Sequence, residues 1–492
     1  MSDVPPPGPR YLCLSDLHLG AAYSLLTHSD DDGRPDPSTA SATLVAFGQA
    51  LRQTVAALQT ATPGSPPTTL VLLGDVLDMG LSPMGDTAAG FQRFIEALYP
   101  AGAPAVFSPH VLCVPGNHDH HLWRIAQDRQ YLQALDSAPA DLVQATPLLA
   151  GGPTPPVPSE LLTRLMRRQP QLADATVSIV YPNLGLFHEA SGRCVLMHHG
   201  HYVDSTYTAM SSLNQALWQQ KPPPTVADIE AQNGPWVDFL WSDLGSAGAT
   251  GQGALALYEV LRDAAASRRF TQRAGDEAVR LLSATLGISG QSQTVKGLTV
   301  EQLLRALLDV TLGRAAESER DADLQVISSD GLQQLVAYLA GPLKRQLDEA
   351  LGSAAPRVGA TRFIYGHTHK PWQRELPVPG YAMPVAVYNT GGWVIDQPTM
   401  GSSQGAAAVL IDEALNVASL RLFNDPLNGV MAPVHAADAA SIRPQANPLR
   451  EALAAAIEAQ ADAWQQFTQA ACSAAERQAE RLLDRFFTPG QS

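Results

Sequence analysis

Five short apolar runs in this chain each end on a residue able to hold a metal ion or move a proton. They are YLCLSD at 11–16, TLVLLGD at 69–75, HVLCVPGN at 110–117, CVLMHHG at 194–200 and RFIYGH at 362–367. Short, continuous apolar runs closed by polar or glycine residues read as strands buried on both faces. Between the first two, Leu44, Phe47, Leu51, Val55 and Leu58 recur at spacings of 3, 4, 4 and 3, which is one face of a helix. Strand, helix, strand with apolar strands predicts a sheet covered by helices. Groups at the carboxyl ends of neighbouring strands meet in space however far apart they lie in sequence.

Further strands are expected at 177–181, 385–388, 407–411 and 417–422. Those after residue 380 resemble hairpin strands and predict a second, partly antiparallel sheet. Residues 205–355 lack strand patterns and show helical spacing, as in Leu303, Leu304, Leu307 and Leu308 and in Leu332, Leu335, Val336 and Leu339. They read as a helical insertion, dividing the chain into 1–204 (first part of a core), 205–355 (insertion), 356–440 (second part of the core) and 441–492 (C-terminal helix). From Leu449 to Phe487, apolar residues mostly 3, 4 or 7 apart predict one long amphipathic helix. It either packs back on its own domain or serves a dimer or partner. The acidic run SDDDGRPDP at 29–37 reads as a solvated turn.

Composition narrows the partners. With 32 Lys+Arg against 47 Asp+Glu the net charge is -15, a field that repels a phosphate backbone and disfavours nucleic acid. No uninterrupted apolar stretch is long enough to span a membrane, and the start MSDVPPPGPR has neither a basic nor an apolar region, so a soluble, cytoplasmic protein is expected. Cys13, Cys113, Cys194 and Cys472 have no paired spacing and read as reduced thiols, the first three in buried strands.

The strand-end motifs bring together Asp16 and His18 (SDLHLG), Asp75 (GDVLD), Asn117 (GNHD), His199 (HHGH), and His367 and His369 (GHTH). Two Asp, one Asn and four His form a mixed oxygen and imidazole set that suits Mn, Fe or Zn. Manganese is the favoured ion. Seven groups exceed one tetrahedral site but fit two divalent ions with a bridging carboxylate, the usual clamp for in-line attack at phosphorus. The lack of Cys among them argues against structural zinc.

The ordered set D-x-H, G-D-x-x-D, G-N-H-D, H-G-H and G-H-x-H, spanning residues 16 to 369, resembles the calcineurin-like metallophosphoesterase superfamily. The resemblance implies a four-layer α/β/β/α sandwich of two mixed sheets with a dinuclear site. It assigns Asp16, His18 and His369 to one ion, Asn117, His199 and His367 to the other, and Asp75 to both. A hydroxide between the ions would attack a phosphomonoester or phosphodiester, and His118, oriented by Asp119, would protonate the leaving oxygen. The H-G-H pattern selects His199 over His198.

Several neighbours have no assigned duty. Asp78 reads as a supporting or helix-capping residue. His201 either approaches the substrate phosphate or is a solvated loop histidine, and His120 and His121 read as surface or rim residues. Lys370 and Arg124, the adjacent cations, read as plain surface residues. The D-L-H-L-G opening and the insertion before G-H-T-H are also similar to UDP-2,3-diacylglucosamine pyrophosphatases, which implies a lid over a lipid-linked nucleotide. This chain differs by His118 and by a longer insertion. A double-strand-break repair nuclease shares the opening and G-N-H-D, but the acidic total disfavours DNA. A protein-binding scaffold on the same fold is the reading from another class, though no ligand is missing. Within PWVDFLWSDLG at 235–245, Trp236, Phe239, Leu240 and Leu244 lie at helical spacing, a face for substrate or for the core.

Overall fold

The computed structural model describes residues 8–30, 33–61, 64–135, 141–151, 157–217, 222–238, 326–395, 403–424, 434–439 and 446–487. Strands β1 (Pro9–Leu14), β4 (Thr69–Leu72), β5 (His110–Cys113) and β7 (Thr176–Ile179) lie side by side and parallel in the larger sheet. Its order is β15-β14-β13-β1-β4-β5-β7-β6, with β6 at Val157–Pro158, β13 at Gly405–Asp412, β14 at Val417–Asn424 and β15 at His435–Ala437. The smaller sheet runs β11-β12-β10-β9-β8, comprising β8 (Asn183–His188), β9 (Arg193–His198), β10 (Ala360–Tyr365), β11 (Trp372–Leu376) and β12 (Val385–Asn389). A hairpin of β2 (Thr27–Ser29) and β3 (Pro35–Ala40) stands apart, and between its strands Asp30 Oδ1 accepts from Arg34 N at 2.8 Å.

The two-residue period of each central strand explains the layering. Leu12 and Leu14 point into one apolar cluster and Cys13 into another; Leu70 and Leu72 divide from Val71 and Leu73 in the same way. Across the second sheet, Val195, Met197 and Ile364 meet Cys13, Val71 and Val409 between the sheets, while Leu196, Phe363 and Tyr365 face outward. Each strand therefore needs apolar residues on both faces, which is why it reads as an uninterrupted run.

Helices cover the outer faces. Helices α1 (Ala42–Thr60), α2 (Met84–Leu98), α3 (His121–Leu135) and α4 (Glu160–Met166) pack on the larger sheet through residues such as Phe47, Phe91, Trp123 and Leu162. Helices α5 (Ala209–Leu217), α6 (Val226–Val237), α7 (Ser329–Tyr338) and α8 (Lys344–Leu351) lie within the insertion span, and Ile229, Leu335 and Leu347 of α6, α7 and α8 pack on the smaller sheet. The result is a four-layer α/β/β/α sandwich.

Two expectations change. Of the strands after residue 380, only β12 joins the second sheet; the β13–β14 hairpin extends the larger sheet by pairing antiparallel with β1. Ala408 and Leu410 fit the helix side while Val409 and Ile411 fit the space between sheets, so the hairpin continues both packed layers. The tail is two helices, α9 (Pro448–Ala459) and α10 (Ala461–Phe487), broken at Gln460. The break lets α9 pack on β14, β15 and α1 while α10 follows α1, where Trp464 Nε1 donates to Thr54 Oγ1 at 2.9 Å. Leu449, Leu453, Trp464, Phe467 and Ala471 are thereby buried, so this part of the stripe packs back on its own domain, the first of the two expected roles. No described helix is long and apolar enough to cross a membrane.

Candidate metal centre

The strand-end motifs converge where the two sheets meet, and they do so through strained backbone. Asp16, His18, Asp75, His367 and His369 all have positive φ, between 45° and 71°, a region that L-residues with side chains rarely occupy. Backbone bonds hold these turns: Asp16 N donates to Gly74 O at 3.0 Å and His18 N to Asp75 O at 2.9 Å. Two glycines are required by close approach. A Cβ on Gly116 would strike the Asp75 carboxylate, and one on Gly366 would strike Asp16 and Ser15.

Three groups of potential donors result, one of them His18, Asp78 and His118, and the other two drawn from the candidate ligands. Potential donor atoms of Asp16, His18 and His369 lie within 4.8 Å of one another, as do those of Asp75, His199 and His367. In the first group, His18 Nε2 and His369 Nε2 face each other at 3.3 Å, and His369 Nε2 is 3.4 Å from Asp16 Oδ1. In the second, Asn117 Oδ1 is 3.1 Å from His199 Nε2 and 3.0 Å from His367 Nδ1. Asp75 Oδ2 lies 3.2 Å from His199 Nε2 and 3.9 Å from His18 Nε2, so one carboxylate faces both groups.

The donor set fits cations. His199 Nδ1 is 3.0 Å from Leu73 O, a contact it makes as an N–H donor, which turns Nε2 toward two oxygen acceptors. Such a convergence of lone pairs requires a cation or a shared proton. The same field shifts the pKa values of these groups. Burial opposes the charged form of His199, yet Asp75 lifts it to about 9. Burial would raise Asp75, but His199 and His118 hold it well below the usual carboxylate range. Asp16 is likewise held low against burial by His369 and His199, whereas burial keeps His18 below its ordinary value. Imidazole and carboxylate donors without thiolate suit transition metals.

His118 stands beside both groups. Its Nδ1 is 2.7 Å from Asp78 Oδ1, and its backbone N–H donates to Asp75 Oδ1 at 2.8 Å. Burial pushes its pKa down, but Asp75 and Asp78 outweigh that and raise it to about 9, so the ring carries a proton near neutrality. The expected orienter, Asp119, does a different job. Its carboxylate accepts from the N–H groups of Gly116 (2.6 Å), Val76 (2.9 Å) and Asp75 (3.2 Å), tying the G-N-H-D turn to the G-D turn. Asp78 orients the imidazole; Tyr23 and Ser82 donate to its other oxygen at 2.5 and 3.2 Å. A carboxylate next in sequence points along the turn, whereas one from a neighbouring strand end faces the ring.

Other neighbours also depart from expectation. His120 is fully buried, with Nδ1 2.6 Å from Asp238 Oδ1 and Nε2 3.3 Å from Glu230 Oε1. These two acids, from α6 and its end, raise the ring to about 10 against burial and clasp the insertion to the core. Breaking such a buried pair from one side costs about 3–5 kcal/mol. Arg124 joins them, with Nε 3.2 Å from Asp238 Oδ2. His201 is buried against Tyr181, whose hydroxyl lies 3.2 Å from Nε2, and is no solvated loop residue. Lys370 is buried as well, because the chain turns directly from the site into β11. Trp236 is half-buried on α6; Phe239, Leu240, Leu244 and the 303–308 run lie outside the described residues.

Ser15, Thr390, Asp204 and Tyr207 were not foreseen. Ser15 Oγ donates to Asp16 Oδ2 and is 2.5 Å from Thr390 Oγ1. Ser15 and Asp204 stand within or just after motifs, a signal that could have marked them; Thr390 and Tyr207 carry none.

A strand-end site with two donor groups sharing a carboxylate, in a four-layer sandwich, defines a metal-dependent phosphoesterase. The family model for calcineurin-like phosphoesterase matches residues 9–251, a span that takes in Asp16, His18, Asp75, Asn117 and His199. This match supports the superfamily and indicates a hydrolase acting on phosphoesters; the family implies a dinuclear divalent metal centre. No curated protein matches the chain.

Proposed function

We propose that the protein hydrolyses phosphomonoesters or phosphodiesters with two divalent transition-metal ions, manganese favoured over iron or zinc. Asp16, His18 and His369 would hold one ion and Asn117, His199 and His367 the other, with Asp75 serving both. The observation that carries this is the shared Asp75 carboxylate between two groups of converging lone pairs. Such ions, when bound, polarise phosphoryl oxygens and lower the pKa of water for in-line attack.

The protein's own groups supply the rest. The Asp78 carboxylate accepts the hydrogen bond of His118 Nδ1–H, so the Nε2 proton is the one left to pass to the leaving oxygen. Asp119 acts through the backbone, holding His118 and Asp75 in register. The His369 side chain is 27% exposed against 12% for His118 and 11% for His367, so the centre is most open beside His369. The Ser205–Thr208 turn, at the start of the 205–355 span, lies beside the centre through Tyr207, and that span would select substrate. The four free cysteines agree with a cytoplasmic setting.

The test compares chelator-stripped protein with protein reloaded with Mn²⁺, on an aryl phosphomonoester, an aryl phosphodiester and an acylated nucleotide-sugar pyrophosphate. Turnover restored only by the metal is expected. Protein that takes up no transition metal and turns over none of the three would overturn the reading. Turnover confined to the pyrophosphate would favour a lipid-linked nucleotide pyrophosphatase.

A further inference from the structure

The group Asn117, His199 and His367 borders a segment that belongs to neither sheet. This is the pair of short 3-10 turns, His201–Val203 and Ser205–Thr208, that leads from β9 into the insertion. Two of its side chains reach back to that group. Asp204 Oδ2 is 3.5 Å from His367 Nε2, while Oδ1 accepts from Thr206 N at 2.8 Å and caps the second turn. The buried Tyr207 hydroxyl accepts from Asn117 Nδ2 at 3.2 Å, and its ring stands edge-on to His367 with centroids 5.1 Å apart.

Each contact selects which atom faces the centre. A carboxylate at Nε2 keeps the His367 proton on that nitrogen, so Nδ1, 3.0 Å from Asn117 Oδ1, presents its lone pair. An amide can turn either end inward. With Nδ2 given to Tyr207, Asn117 directs Oδ1 toward His199 and His367. Asp16 is supported from elsewhere: His367 N donates to its carboxylate at 3.0 Å and Ser15 donates from β1's end.

Resting on the two-ion reading above, we propose that Asp204 and Tyr207 are positioning residues for the ion held by Asn117, His199 and His367. The turns that lead into the insertion then determine how tightly that ion is held, independently of the other. Metal affinity at one half of the centre becomes a property of the insertion's docking.

The experiment titrates chelator-stripped, full-length protein with Mn²⁺ alone and follows the free-ion magnetic resonance signal. Asp204→Ser keeps an oxygen that can cap Thr206 N but is too short for His367. Tyr207→Phe keeps the ring and removes the acceptor. In both, one of two binding steps is expected to weaken by roughly 10- to 100-fold while the other holds, the range for groups that orient metal ligands. Asp204→Asn, which still offers Nε2 an acceptor oxygen, should recover most of the loss, and the stripped variants should melt with the wild type. Two unchanged steps, two steps weakened equally, or a stripped variant that melts well below the wild type would overturn the inference. Wild-type protein that takes up no Mn²⁺ would overturn the two-ion reading along with it.

Discussion

The two halves of the centre are built by different means. Asp16, His18 and His369 all sit at positive φ, in turns bonded to the ends of the larger sheet and to the 389–393 segment, as where Trp393 N donates to Asp16 O at 3.1 Å. In the other half only His367 has positive φ, and the support comes from side chains, Asp204 and Tyr207, that lie outside both sheets. Backbone strain can be held only by a rigid surround, so the first half belongs to the sandwich itself. The second half is open to adjustment, because a turn of the insertion can move without disturbing a strand.

The most severe way to break this comparison is to remove what the halves share. Asp75→Asn should abolish turnover and release at least one ion, since no neighbouring carboxylate can take over a position facing both His18 and His199. Metal content and turnover of an aryl phosphodiester measure it; full occupancy with normal turnover would show that the halves are independent sites.

A second variant separates chemistry from metal holding. His118→Asn should leave both ions in place and lower turnover of esters with poor leaving groups by roughly 10²- to 10⁴-fold, with a smaller loss for activated aryl esters. Equal losses on the two kinds of ester would assign His118 to substrate placement instead.

The smallest effect sharpens the contrast. Ser15→Ala removes a donor to Asp16 Oδ2 but leaves the His367 backbone N–H at 3.0 Å. It should weaken one Mn²⁺ step by about 10-fold, the lower end for an orienting contact, and leave untouched the step that Asp204→Ser affects. If both variants weaken the same step, the division into a strand-built and an insertion-supported half is wrong.

The seven candidate ligands were legible in the chain because each stands in a local motif at the end of an apolar run, and a run that must be buried on both faces advertises itself. The same logic made a helix-covered sheet and the helix from Leu44 to Leu58 readable and located Cys13, Cys113 and Cys194 in the core, whereas the four-layer sandwich was implied by the family resemblance. Periodicity could not say which sheet the β13–β14 hairpin would join, since its alternation suits either edge. Nor could it find partners far away in the chain. Ser15 meets Thr390 across 375 residues, and His120 meets Asp238 across 118. Asp119 and Asp78 are both acids beside motifs, and sequence adjacency favoured the wrong one as the orienter of His118. Their roles depend on the direction each carboxylate takes when β4 and β5 pair, one along the turn into backbone N–H groups, the other across to the imidazole. Identity and order of the candidate ligands are properties of local sequence; their orientation, strain and support arise only when distant strand ends and the segments between them pack against one another.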